Sequence, residues 1–230
     1  MKNNNEWMSI SDMMSGLMLI FMFIAISFMI EVQSDKEKIQ EIAITYNKSK
    51  KDLNKDLHIE FENDLKRWDA QITKDNSIIF NSPDVLFERG QSIIRDSFGN
   101  ILDDFFPRYI KVLSIDKHKN EIDEIRIAGH TTDIWNDFTS KKDTYLKNMT
   151  LSQNRANNVL SYCYNLNNNT INQHRNWLEK KLRANGMSFA KLKYKDKYKK
   201  SVDYEKSRRV EFKVEMKTEE KIYKILKAST

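Results

Sequence analysis

Two groups of residues in this chain have the types and spacings that chemistry requires. The first is a single acid, Asp12, at the head of the uncharged run Met13–Ile30. Ionisable groups in a lipid-length span are costly and are commonly tied to ion or proton movement. An Asp at a helix start is also a favoured cap that suits the helix dipole, and the residues alone leave both readings open. The second group is Asp133, Asn148, Ser152, Arg155 and Arg208. On a helix, Asn148, Ser152 and Arg155 stand at i, i+4 and i+7 and share one face. Arg155 presents a planar fork suited to a carboxylate, and Asp133, from a loop after a strand, suits an ammonium. Such a pair fits a zwitterionic amino-acid end, with Asn148 and Arg208 in support. A mutual Asp133–Arg155 salt bridge that orders the loop is the structural alternative.

The elements that must position these residues follow from periodicity. Residues 1–9 form a short N-terminal segment and residues 10–30 a membrane helix. The apolar run has eighteen residues, and at about 1.5 Å per residue it nearly crosses a hydrocarbon core of roughly 30 Å. Glu6 and Asp12 precede it and IEVQSDKEK follows without a small-residue cleavage site, so an uncleaved anchor is expected over a signal peptide. Residues 31–76 read as a charged helical linker with the stripe Ile39, Ile42, Tyr46, Leu53, Leu57, Phe61, Leu65, Trp68 and Ile72. That stripe either pairs with a second copy of the chain or lies against a folded domain. A homodimer is expected from the first of these.

A domain over 77–216 then alternates strands and helices, and 217–230 is a tail. Strand signals occur at Ser77–Phe80, Glu124–His130, Leu182–Met187 and Arg208–Val214, with a turn at Asn81–Asp84. Helical periodicity covers Ser92–Leu113, with a kink or break at Pro107, then Asn148–Asn165 and Ile171–Lys181. The fold class is α+β, with helices on a small mixed sheet.

Composition narrows the function classes. Residues 76–230 hold 29 Lys/Arg against 20 Asp/Glu, so the distal domain is the basic part and favours an anionic partner. Cys163 is the only cysteine, which precludes an intrachain disulfide, and it reads as a small core residue. His58, His118, His130 and His174 lack metal-ligand spacing, and five glycines form no phosphate loop. No metal, cofactor or catalytic site is expected. Lys191–Lys200, with Tyr194 and Tyr198 between lysines, offers a nucleic-acid surface. A solvated loop, or one resting on an anionic wall polymer, is the commoner reading of such a stretch.

Three motifs in order resemble the OmpA-like peptidoglycan-binding domain: GHTTD at Gly129–Asp133, Asn148-x-x-Leu151-Ser152-x-x-Arg155-Ala156, and Ser207-Arg208-Arg209-Val210. FNSPDVLFERGQ at Phe80–Gln91 fits the opening segment. The chain departs from the family in the extra Thr of GHTTD, the longer Trp135–Lys147 loop, and Ser207 in place of Asn. The resemblance implies a βαβαβ-type domain that binds the diaminopimelate peptide through Asp133 and Arg155. The start, Trp7–Met18, is similar to flagellar stator B subunits, and the whole layout most resembles the B subunits of Zorya anti-phage systems. That implies a proton-driven motor subunit of the bacterial inner membrane, N-terminus cytoplasmic and wall-binding domain periplasmic. Its partners would be a multi-span A subunit, five A to two B, with Asp12 carrying the ion. A passive membrane-tethered wall anchor and a flagellar-type stator subunit are the alternatives.

Overall fold

The computed structural model describes residues 3–81, 83–88, 90–136, 138–196, 198 and 200–217. The chain divides into a first unit that takes in Met1–Asn47 and a compact unit of Lys48–Lys217. Helix α1, Asn3–Leu65, contributes to both.

In the first unit α1 is long and apolar enough to cross a membrane, with a mean hydropathy of 2.4 in its most apolar window and none of that window buried. Because α1 begins at Asn3, Asp12 lies nine residues inside the helix and is not its cap. The carboxylate therefore projects from the helix side at the edge of the apolar stretch, where it has no free backbone N–H groups to satisfy.

The compact unit opens on the last turns of α1, followed by β1 (Ala70–Ile72) and β2 (Ser77–Phe80). Next come α2 (Pro83–Leu86), α3 (Asp96–Leu113), α4 (Asp116–Lys119) and β3 (Ile122–Gly129). Helices α5 (Lys141–Tyr164) and α6 (Asn169–Lys181) lead to β4 (Leu182–Gly186), and α7 (Tyr204–Ser207) leads to β5 (Val210–Met216). The strand order is β1-β2-β5-β3-β4. All neighbours are antiparallel except β3 and β4, which are parallel and joined by the α5–α6 crossover. This is the expected α+β architecture.

One face of the sheet is apolar and covered by helices. In β5, Val210, Phe212, Val214 and Met216 are buried while the residues between them are not, the period-2 pattern of a half-covered strand. Phe105 of α3 is the aromatic hub, with ring centroids 4.9 Å from Phe212, 5.0 Å from Tyr109, 5.1 Å from Phe80 and 5.2 Å from Phe61. The other face carries ion pairs, such as Arg126 with Glu124 of the same strand at 2.7 Å and with Glu215 of β5 at 3.4 Å. Pro107 does not break α3, which continues to Leu113 because Phe105, Phe106, Tyr109 and Ile110 on both sides are fully buried. Packing of that face outweighs the lost backbone hydrogen bond. Helix α5 starts at Lys141, seven residues before Asn148, so the expected long loop is partly helical.

The stripe of the linker helix is shared between two environments. Leu53, Leu57 and Phe61 are completely buried in the compact unit, as is most of Trp68, whereas Ile39 remains 45 % exposed. Ion pairs fasten this end of α1: Arg108 Nε meets Glu60 at 2.6 Å, Arg108 Nη1 meets Asp64 at 2.9 Å, and His118 Nε2 meets Asp56 at 2.7 Å. The compact unit takes in Lys48–Lys217, so the last turns of α1 pack with the sheet and help to cover the Phe105 cluster. Leu57 is a core residue and not a seam position between copies. The tail expected at 217–230 lies, from residue 218 onward, outside the described residues, as does Ser82 of the Asn81–Asp84 turn.

Truncating Leu57 should therefore destabilise the domain. Leu57→Ala is expected to cost about 2–5 kcal/mol in denaturant unfolding of the purified chain, the usual range for a buried leucine. Ile44→Ala, at a position 67 % exposed, should change it by less than about 0.5 kcal/mol.

Candidate functional site

The site is built at the end of β3 by the close approach of α5. A Cβ added at Gly129 would lie 2.3 Å from the Ser152 carbonyl oxygen, and one at Gly186 would lie 2.6 Å from the Gln153 nitrogen. Only glycine permits that separation. The contact is locked by side chains of α5: Ser152 Oγ accepts the Ser188 N–H at 2.9 Å, and Gln153 Oε1 accepts the Gly186 N–H at 2.7 Å. Ser152 also donates to the Met149 carbonyl at 2.9 Å, so its role here is to hold the helix. The start of α5 is capped by Ser140, whose Oγ accepts the Asp143 N–H at 3.1 Å.

Beside this junction lies a cavity of about 420 Å³, whose lining includes Phe87, Thr131, Thr132, Asn148, Arg155 and Arg208. Three of the sequence-derived residues, Asn148, Arg155 and Arg208, are thus brought together. Asn148 is buried and donates to the Thr144 carbonyl at 3.0 Å. Arg155, 7 % exposed, is positioned by the Gln91 carbonyl, 2.8 Å from its Nε, and by the Phe87 ring, 4.9 Å from its guanidinium carbon. Among the described residues neither Arg155 nor Arg208 forms a salt bridge with a carboxylate. Burial, and then the like charge of Arg208, push the Arg155 guanidinium down to about 10, still cationic at neutral pH. The Nε of Arg208 and the buried Oγ1 of Thr131 have no hydrogen-bond partner. Two guanidinium groups and an unpaired hydroxyl around one cavity have the chemistry that suits an anion.

Asp133 is placed elsewhere. It lines an adjoining cavity of about 460 Å³ together with Asn136, Thr144 and Phe189, and Ile134 and Trp135 stand between the two cavities as walls of both. No Asp133–Arg155 salt bridge forms among the described residues, and Asp133 lines a different cavity from Arg155. Phe87 and Thr131 are lining residues that residue chemistry did not single out. Both lie within the quoted motif segments, which was the available signal.

Behind the cavity is a buried charged cluster. His130 Nε2 is 3.3 Å from Glu211 Oε2, and Arg209 Nη2 is 3.9 Å from the same oxygen. Arg209 also donates to the Lys191 and Ser207 carbonyls at 3.2 Å. Burial opposes the charge on Glu211, but His130, then Ser77 and then Arg209 outweigh it and hold the carboxyl at about 2. Burial keeps His130 below its usual value of 6.5, although Glu211 acts the other way. Cys163 is in the core as expected, with its thiol pushed up by burial. In the lysine-rich stretch, Asp196 accepts the N–H groups of Tyr198, Lys200 and Ser201 at 2.8–3.1 Å, and Tyr198 is 81 % exposed. Lys197 and Lys199 lie outside the described residues.

Comparison with known proteins first defines the class of the folded unit. The profile of the OmpA family matches residues 86–201, a range that includes the α5 motif and ends before Arg208. Over 226 residues, covering 98 % of this chain and 94 % of the relative, the sequence is 44 % identical to Zorya protein ZorB of Escherichia coli (strain ATCC 8739). The chain belongs to the ZorB family. Among solved structures, it is similar to a MotB-like protein from Desulfovibrio vulgaris, with 16 % identity, TM-score 0.47, and coverage of 77 % of this chain and 98 % of that one. The cell wall anchor of the T6SS from Pseudomonas aeruginosa is matched at 17 % identity and TM-score 0.46, over 70 % of this chain and 97 % of that one.

The charged cluster makes stability depend on pH with a definite sign. Glu211 is held below its usual 4.5, so its contribution is complete above that value and is lost as pH falls toward about 2. His130, held below 6.5, makes folding oppose protonation from that pH downward, so both act in the same direction. The thermal midpoint should fall on acidification below pH about 6, and Glu211→Gln should be less stable at neutrality and show a flatter decline at the acid end.

Proposed function

We propose that this protein is the stator-like, ion-carrying subunit of a Zorya-type defence motor, anchored to peptidoglycan in the periplasm of a bacterial cell. The observation that carries the reading is Asp12, which lies inside the single membrane-length helix among the described residues and not at its cap. A carboxylate there is expensive in lipid unless it is protonated or faces a polar partner. A cycle of protonation and release therefore changes which surface of a neighbouring subunit Asp12 favours. Moving one charge through 100 mV is worth about 2.3 kcal/mol, enough to bias such steps. The multi-span A subunit supplies the opposing surface, five copies around two of this chain, with the N-terminus cytoplasmic. The chain has no catalytic role in this reading.

Wall anchoring rests on the cavity. The carboxylate of a diaminopimelate-type stem peptide is the natural counter-ion for Arg155 and Arg208, with Asn148 and Thr131 at its rim. Asp133 faces the adjoining cavity, where an ammonium of the same peptide is its counter-charge. In the homodimer, the part of the linker stripe available for pairing is its membrane-proximal end, Ile39, Ile42 and Tyr46, since Leu53, Leu57, Phe61 and Trp68 are committed to the domain core.

Two experiments test this. Asp12→Asn keeps the shape and removes the titration, so co-purification with the A subunit should persist while protection in a phage plaque assay disappears. Undiminished protection would leave a passive anchor. Arg155→Ala should weaken retention on purified sacculi by about 2–5 kcal/mol, the range for truncating a buried, hydrogen-bonded charge pair. Asp133→Ala should have a smaller effect, from the adjoining cavity. Unaltered sacculus binding in both Arg155→Ala and Arg208→Ala, with the fold intact by circular dichroism, would remove the wall-binding assignment.

A further inference from the structure

Two walls of the anion cavity come from strand ends that meet behind it. Thr131 stands two residues past the end of β3, and Arg208 two residues before the start of β5. The Oγ1 of Thr131 and the Nε of Arg208 have no hydrogen-bond partner, so the backbone that carries these residues does most of the placing. Between each of them and its strand stands one member of the buried charged cluster, His130 on one side and Arg209 on the other. The His130 N–H donates to the Arg209 carbonyl at 3.0 Å, which continues the β3–β5 ladder one step past the Gly129–Val210 pair. Consecutive residues of an extended chain point to opposite sides. Arg208, with extended backbone, lines the cavity, whereas Arg209 turns away to Glu211. Thr131 and His130 divide in the same way.

We propose that Glu211, which does not line the anion cavity, is the positioning residue that sets these two walls: its carboxylate fixes His130 and Arg209, and through them the backbone that presents Thr131 and Arg208. The inference rests on the reading of that cavity as the site of a peptide carboxylate. One oxygen of Glu211 lies 3.3 Å from His130 Nε2 and 3.9 Å from Arg209 Nη2. Arg209 in turn donates to the Lys191 and Ser207 carbonyls at 3.2 Å, so a single guanidinium ties the segment after β4 and the end of α7 to β5. Both inner residues are almost wholly buried, Arg209 at 3 % and His130 at 2 % exposure, and water cannot take the place of the carboxylate. By charge alone an acid behind an anion site opposes binding. Its place there has a geometric reason, since a binding group contributes fully only when its support holds it in position before the ligand arrives. Charge and geometry therefore predict opposite signs for removing Glu211.

The test is calorimetry on the full chain in detergent, with a stem tripeptide ending in diaminopimelate as the probe and each variant held well below its own thermal midpoint. Glu211→Gln keeps the shape and removes the charge. Affinity should fall about tenfold, and in an Arg208→Ala background the same substitution should change it by less than about threefold, because the two residues act through one another. A merely structural role leaves the affinity of the folded variant unchanged, and a purely electrostatic one raises it. Either result overturns the inference, as does an equal loss in both backgrounds. Arg209→Lys keeps the cation but loses the planar fork, so it should reproduce the loss, and it carries the test if Glu211→Gln does not fold; unchanged affinity in Arg209→Lys also counts against the inference. Binding that is lost in Arg155→Ala yet intact in Glu211→Gln removes the positioning role alone. Failure of the native chain to bind the probe removes it together with the reading beneath it.

Discussion

The close packing of α5 on the ends of β3 and β4 is the constraint on which the site depends. Gly129 and Gly186 let the helix backbone descend to where any side chain would collide with it. At that distance Ser152 and Gln153 can reach the backbone beyond the strand ends, and Asn148 and Arg155 are carried over the edge of the sheet. Polar groups that elsewhere face water become the walls of a cavity. The helix register, and not any one ligand residue, sets the geometry.

Charge around that cavity is organised in two layers. The inner layer is balanced, with Arg209 and His130 gathered on Glu211. The outer layer is not, since Arg155 and Arg208 face the cavity without an acid among the described residues. Burying an unpaired cation costs free energy that an arriving anion returns, so the imbalance is poised for a ligand. Carbonyls from the segment after α2 and the Phe87 ring hold Arg155 without neutralising it. They fix its direction while leaving its charge available.

Helix α1 joins two solvents in one element. Its first part exposes Met, Phe, Ile and Leu on all sides, which suits lipid, whereas its last turns bury Leu53, Leu57 and Phe61 and place Glu60 and Asp64 on Arg108. Within the compact unit, Phe61 and Trp68 pack against the Phe105 ring.

Much of this was legible in the sequence. The apolar run with Asp12, the alternation of β5, the periodicity of α3 and α6, and the shared face of Asn148, Ser152 and Arg155 are local patterns, and local geometry alone produces them. The motifs also led to the OmpA family and to the resemblance with Zorya subunits, and the chain belongs to the ZorB family. What tertiary structure decided were the matters of contact between distant segments. A narrow apolar stripe cannot say whether it meets a twin or its own domain, and the aromatic cluster drew Leu53, Leu57 and Phe61 inward. Pro107 reads as a helix breaker until its neighbours are seen to be buried on both sides. Asp12 reads equally well as a cap until the helix is found to start at Asn3. Asp133 is close in sequence to the cavity that holds Arg155, yet the loop turns it to the far side of Ile134 and Trp135. Residue types and periods specify which groups are present and which face they share; which distant groups meet depends on packing that no local pattern encodes.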